Sequence, residues 1–193
     1  MCGQFQFSQK LDSPAMRRLS VLAEQTQVQL PDGDIAPGCL APVLVAGPGR
    51  AQLKMMQWGF PLGDTGRPVI NARAETAASK PSFSRALEHG RCAIPTTGFY
   101  EWSRGSNPQP YRFRAGDGLL YLAGLYRMFE GAPRFVVLTC PAVGQVAAVH
   151  NRQPVVLGQG ELLRWLSNRE AAEAILRRPG AALQGTPMEW EEL

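Results

Sequence analysis

Apolar and polar residues alternate over short distances through most of this chain, and only its flanks carry the wider spacing of helices. From Ser13, SPAMRRLSVLAEQ sets a capping serine before a proline at the first helical position. Apolar residues follow at roughly helical spacing, which predicts an amphipathic surface helix. The middle of the chain reads differently. PVLVA from Pro42, AQLKMM from Ala51, RCAI from Arg91, GFYEW from Gly98, YRFR from Tyr111, LLYLAGLY from Leu119, RFVVLTC from Arg134 and PVVL from Pro154 are short β-rich runs separated by Gly, Pro and Asp. GELLRWLS from Gly160 and REAAEAILRR from Arg169 predict one or two late helices. So many short strands exclude a helical bundle, and the expected class is α+β: a mainly antiparallel, barrel-like β core with peripheral helices. No repeat, low-complexity tract or linker divides the sequence, so residues 1–193 are expected to form a single domain.

Composition bounds this picture. At 193 residues and 45% hydrophobic content the chain can bury a core without staples. Cys2, Cys39, Cys92 and Cys140 lie far apart with no Cys-x-x-Cys, so neither a zinc site nor a disulfide framework is expected and a reducing compartment fits. The start of the chain lacks the hydrophobic segment of a secretion signal, and LLYLAGLY is too short to span a bilayer. A cytoplasmic protein with no membrane partner is expected. The net charge is +4, and 17 of the 20 basic residues are arginine, the exceptions being Lys10, Lys54 and Lys80. Arginine forks match phosphates, but a GC-rich genome favours arginine codons as well, and charge alone does not establish nucleic-acid binding.

Four polar stretches stand out. The chain opens MCGQF; methionine aminopeptidase removes Met1 when the second residue is small, which would leave Cys2 with a free α-amine beside its thiol. In INARAET, Asn71 and Arg73 share one face of an extended segment and could meet one ligand; alternatively they cap a helix starting near Glu75. In GFYEW, Glu101 sits among aromatics, where desolvation raises a carboxyl towards the range useful for proton transfer; an exposed edge glutamate is the plainer reading. In VHNRQPVVL, His150 is the one credible imidazole acid or base, since His89 in LEHG reads as a solvent-facing helix end. A turn residue satisfied by backbone is the alternative. Arg152 lies two residues on, suited to a phosphate on the same side.

Together these residues resemble the SOS-response-associated peptidase family, the SRAP domain proteins that process abasic sites in DNA. The matching pieces are MCGQF, IAPG from Ile35, WGF from Trp58, INARAET from Ile70, RCAIPTTGFYEW from Arg91 and VHNRQPVVL from Val149, in the family's order. The resemblance implies an enzyme that attaches itself to an abasic site in single-stranded DNA and shields it. Cys2 would be the nucleophile, Asn71 would hold the deoxyribose or the N-terminus, and Glu101 and His150 would move protons. Arg73 and Arg152 would grip phosphates, and the DNA-binding set takes in Pro37, as a wedge, and Trp58. The resemblance also implies removal of its own Met1 and β-elimination of the strand, with no cofactor, no metal and a monomeric protein that joins the nucleoid when bound to DNA. Three departures stand against the family pattern: Gln4 replaces an arginine, residues 61–67 lack tryptophan, and the chain closes on the acidic EWEEL.

The chemistry is consistent on its own terms. An abasic deoxyribose opens to an aldehyde, and only a neutral amine attacks it. An α-amine has a pKa of about 7.7–8.0 against about 10.4 for lysine, so its free-base fraction near neutrality is larger by about two to three orders of magnitude. Once an imine forms, the thiol on the same residue can close a five-membered thiazolidine with the effective molarity of an intramolecular reaction. Two other functions compete. Class II glutamine amidotransferases also begin Met-Cys-Gly, but they resemble a pattern with an Asn-Gly pair, which is absent here. A single-strand-binding module with an incidental Cys2 would bind reversibly, without a covalent product.

Overall fold

The structure is a computed structural model in which residues 2–61, 66–116, 118–158 and 160–189 are described. In chain order the elements are β1 (Phe5–Phe7), α1 (Pro14–Thr26), β2 (Gly33–Ile35), β3 (Leu40–Ala46), β4 (Ala51–Trp58), β5 (Asn71–Arg73), α2 (Ala74–Ala77), α3 (Pro81–His89), β6 (Arg91–Thr96), β7 (Gly98–Trp102), β8 (Pro110–Arg114), β9 (Leu120–Phe129), β10 (Ala132–Pro141), α4 (Gly144–Val149), β11 (Arg152–Pro154), α5 (Glu161–Ser167), α6 (Arg169–Arg177) and β12 (Gln184–Pro187).

Pairings β4–β3–β6–β9–β10 run antiparallel, and a parallel β10–β4 contact returns the last strand to the first, closing a five-stranded barrel. Closure leaves those five strands no common open edge. Its longest hairpin, β9–β10, turns through Glu130 and Gly131 at φ 49° and 81°. Positive φ at both central residues marks a type I′ turn, whose twist matches that of the strands it joins. β5 and β11 attach to β10, the first parallel and the second antiparallel. A second sheet, β12–β8–β7–β1–β2, is antiparallel throughout and follows directly from the barrel where β6 passes through Thr97 into β7. The α+β reading with a mainly antiparallel barrel-like core is therefore correct.

α1 forms as its sequence dictates. The Ser13 hydroxyl accepts from the Met16 amide at 3.1 Å, a cap worth about 1 kcal/mol. Met16, Leu19 and Ala23 make the buried stripe. The late helical region is two helices, because Asn168 ends α5 in extended backbone and its side chain accepts from the Ala171 amide to start α6. The run from Pro154 is extended but is not one strand: only Pro154 belongs to β11, after which Val155 donates to Leu138 and Leu157 to Tyr121, so the chain bridges two neighbours. Among the described residues no helix is long and apolar enough to cross a membrane.

Candidate active site

β1 carries Phe5 and Phe7 into the core, with Phe5 ring-to-ring 5.0 Å from Trp58. That anchoring draws the preceding residues inward, so Cys2 is fully buried. Its thiol donates to the Gln4 carbonyl at 3.8 Å. Burial raises the thiol pKa well above its ordinary value, and the Glu101 charge raises it further. The proton therefore stays on sulfur at neutral pH.

Asn71 reaches Cys2 from the far side. β5 is three residues long and lies parallel to β10, Asn71 opposite Val137 and Arg73 opposite Thr139. In that register the Asn71 side-chain amide donates to the Cys2 carbonyl at 2.9 Å. Arg73 takes the N-cap position of α2, as the alternative reading has it for that residue, but no side chain caps the helix. Arg73 is exposed, and among the described residues no carboxylate forms an ion pair with it.

Glu101 sits on β7, on the face shared with Phe99, and is 2% exposed. The exposed-edge reading fails: burial raises its pKa, while the positive amino terminus works against the rise by charge and hydrogen bond. The same positive charge lowers Cys2 and His150. His150 ends α4 in extended backbone, and its Nδ1 lies 3.1 Å from the Arg152 amide and 3.3 Å from the Arg152 carbonyl, so it can accept from the one or donate to the other according to its tautomer. Partial burial is the main reason its pKa is lowered. Cys2, Asn71, Glu101 and His150, read from four separate stretches, thus converge on the start of the chain.

The raised Glu101 pKa gives a pH prediction. The folded chain holds that proton more tightly than the unfolded one, so the stability it contributes is complete below about pH 4.3, the ordinary glutamate value. It is lost as pH rises through the folded pKa. Wild-type protein is therefore expected to lose stability relative to Glu101→Gln from about pH 4.3 upward. Thermal melts of the pair across this range check it, and parallel curves would remove the desolvation argument.

The predicted DNA contacts fare unevenly. Pro37 occupies an exposed turn in which the Cys39 amide donates to Ala36 at 3.1 Å and Gly38 has φ +89°. Proline followed by a positive-φ glycine is a type II turn. β2 pairs with β1 at Phe5–Ile35, so this turn stands beside the segment bearing Cys2. Trp58 is corrected: it is fully buried, stacked 6.1 Å from Phe135 and donating from Nε1 to the Ile70 carbonyl at 2.9 Å. It props β1 and the approach to Asn71 from beneath and offers no face to a base. Arg152 has a protein partner. Its guanidinium meets Glu75 in a fork, 2.5 and 2.9 Å, and donates to the Thr139 carbonyl at 2.6 Å. Those bonds hold the Glu75 carboxyl below the usual range. His89 is solvent-facing, as expected.

Glu75, Thr139 and Asp34 were not foreseen as parts of this neighbourhood. Thr139 carried a faint signal, as a hydroxyl in the otherwise apolar RFVVLTC. Asp34 carried none; it accepts from Tyr100 at 2.9 Å and from Gln4 at 3.2 Å, where the family pattern has an arginine in place of Gln4. Among the described residues no three His, Cys, Asp or Glu side chains converge as metal ligands would. The tryptophan-free segment falls mostly, and the acidic close almost wholly, outside the described residues.

The family model for SOS response associated peptidase (SRAP) matches residues 1–192. Abasic site processing protein YedK of Escherichia coli is 29% identical over 191 residues, 90% of this chain and 84% of that protein. Abasic site processing protein YobE of Bacillus subtilis is 30% identical over 189 residues, 86% of this chain and 82% of that protein. Abasic site processing protein HMCES of Gallus gallus shares 30% identity over 128 residues, 52% of this chain and 38% of its own length. A crystal structure of a Bacteroides thetaiotaomicron protein superposes with a TM-score of 0.78 at 21% identity, covering 98% of this chain and 93% of that one. A Bordetella bronchiseptica protein does so with 0.77 at 20%, covering 97% and 100%; these two likenesses concern the fold. With a family match along essentially the whole sequence, the chain belongs to the SOS response associated peptidase (SRAP) family.

Proposed function

We propose that the protein captures abasic sites in single-stranded DNA by forming a thiazolidine crosslink through Cys2, once Met1 has been removed. The observation that carries this reading is the Asn71–Cys2 hydrogen bond at 2.9 Å, made between residues 69 positions apart, beside buried Glu101. Asn71 fixes the Cys2 peptide plane and with it the bearing of α-amine and thiol. The relatives named abasic site processing proteins support the substrate class.

The α-amine of Cys2 attacks the C1′ aldehyde, and the carbinolamine loses water to give an imine. The Cys2 sulfur then adds to the imine carbon, and the thiol proton ends on nitrogen, so aminothiol and aldehyde yield thiazolidine and one water. Glu101, whose carboxyl pKa is raised by burial, relays protons at the amine and thiol. His150, held neutral, is the second relay, at the opening sugar. β-Elimination would leave from the same imine, and Met1 removal would use the same carboxylate and imidazole. The test is a denaturing gel of processed protein with abasic and intact single-stranded oligonucleotides: a heat- and detergent-resistant product is expected with the abasic strand alone. A shift that vanishes on denaturation would favour the binding-module alternative.

Arg73, exposed, close enough to Glu75 for their charges to interact but in no ion pair among the described residues, is the phosphate contact beside the site. Arg73→Ala is expected to weaken single-strand binding and to take about 0.7 from the slope of log affinity against log salt. Arg152 can reach a phosphate only by exchanging Glu75 for it, so Arg152→Ala should lower the melting temperature as well as affinity. Unchanged affinity and slope in Arg73→Ala would place the basic surface elsewhere.

A further inference from the structure

The outward face of the second sheet carries a group of cations that the crosslinking site does not use. Alternation sends Phe5 and Phe7 of β1 inward and leaves Gln4, Gln6 and Ser8 outward; on β8 it sends Phe113 inward and leaves Arg112 and Arg114 outward. Register places Gln6 opposite Gly98 and Tyr100 opposite Arg112. Gly98 lies beneath the two arginine stems: a Cβ there would meet the Phe113 carbonyl at 3.0 Å, the Arg114 Cγ at 3.2 Å and the Arg112 Cγ at 3.5 Å. They share a groove with Gln6, Ser8, Lys10 and Thr97.

Among the described residues no carboxylate forms an ion pair with Lys10, Arg112 or Arg114. Among the described residues two carboxylates lie on neighbouring strand ends and are already engaged, Asp34 accepting from Tyr100 and Gln4 and Asp32 from the Gln9 amide; Asp117, between the lining residues Gly116 and Gly118, lies outside the described residues. Arg112 reaches the Gln6 amide oxygen at 3.5 Å and also bonds the Tyr100 hydroxyl, while its Nε is buried without a hydrogen-bond partner. Partial burial is the main cause that lowers the Arg114 pKa, and repulsion from the adjacent Arg112 charge adds to it. An anion between them would relieve that repulsion.

We infer that this groove is a second nucleic-acid contact, a track for backbone phosphates on one flank of the abasic residue. The inference rests on the proposed crosslink for its starting point. Gln4 lies two residues from Cys2, and β1 continues from there to Ser8, about 13 Å further at a strand rise of about 3.3 Å per residue. A strand fixed at Cys2 that follows β1 meets Gln6 and then the arginines within a few nucleotides. Unpaired guanidiniums along such a path bind by charge and bidentate geometry, without base preference.

The experiment compares abasic single strands carrying ten nucleotides on the 5′ side only, on the 3′ side only, and an abasic trinucleotide too short to leave the site. Wild-type protein should gain affinity and salt dependence on one flank. R112Q/R114Q should lose that gain, its slope falling by about 1.4, which is about sevenfold over a fourfold range of salt. The exposed Arg114→Glu charge reversal should lose at least as much with no change in melting temperature, so a folding defect in the double variant does not decide the matter. Slopes like wild type in both variants on both flanks overturn the track and leave the groove to an acidic protein surface. Crosslinking of the trinucleotide reads the Cys2 chemistry separately: if it fails while the flank effect persists, the crosslink falls and the track stands.

Discussion

Cys2→Ala protein is expected to give no heat-stable adduct with abasic single-stranded DNA under conditions in which wild-type protein is consumed. The reason lies in the second bond rather than the first. An alanine amine still condenses with the aldehyde, but the imine returns to its components in water. The thiol converts it to a ring, and intramolecular closure draws on effective molarities of about 10⁵ M or more. In the proposed mechanism the Asn71 amide holds the peptide that carries the thiol, and the thiol, kept protonated by burial, must give up its proton as the sulfur adds. Borohydride should trap the residual imine in Cys2→Ala, which separates loss of ring closure from loss of DNA binding. The measurement is adduct yield on a denaturing gel with and without the reductant. Equal stable yield from the variant would remove the Cys2 thiol from the mechanism.

Local rules made the long elements legible. The serine-proline start of α1 is a cap readable from sequence, and β3, β4, β6, β9 and β10 are long enough for their apolar runs to declare themselves. β1, β2 and β12, at three or four residues, have too few side chains for a period. Barrel closure depends on the parallel β4–β10 pairing of Gln57–Trp58 with Arg134–Phe135, which no local pattern encodes. The site divides in the same way. Motif residues were visible as polar interruptions of apolar runs, yet their partners were not. Arg152 and Glu75 are 77 positions apart, and only the β5–β10–β11 pairing brings them together. Trp58 entered the DNA-binding set through the family resemblance alone, and no local pattern around it separates a DNA contact from a core aromatic; burial under β1 decides for core.

An uncleavable extension ahead of Cys2 separates the amine from the thiol, and it should abolish crosslinking as completely as removal of the sulfur. A nitrogen inside a peptide bond has its lone pair delocalised into the carbonyl, so it is neither basic nor nucleophilic towards an aldehyde. The extended chain keeps the Cys2 thiol, Glu101, His150 and both arginine sets. Where the added residues leave the groove open it should bind single-stranded DNA with an unchanged salt slope, and form no adduct at an abasic site. A specific protease that leaves Cys2 first should restore the adduct on the same preparation, which controls for folding. The readouts are affinity by titration and covalent yield by denaturing gel, before and after cleavage. Should the blocked chain crosslink as well as the processed one, the reacting group is the thiol alone or one of the lysines at positions 10, 54 and 80. The α-amine then has no part in the chemistry, and the thiazolidine mechanism is wrong.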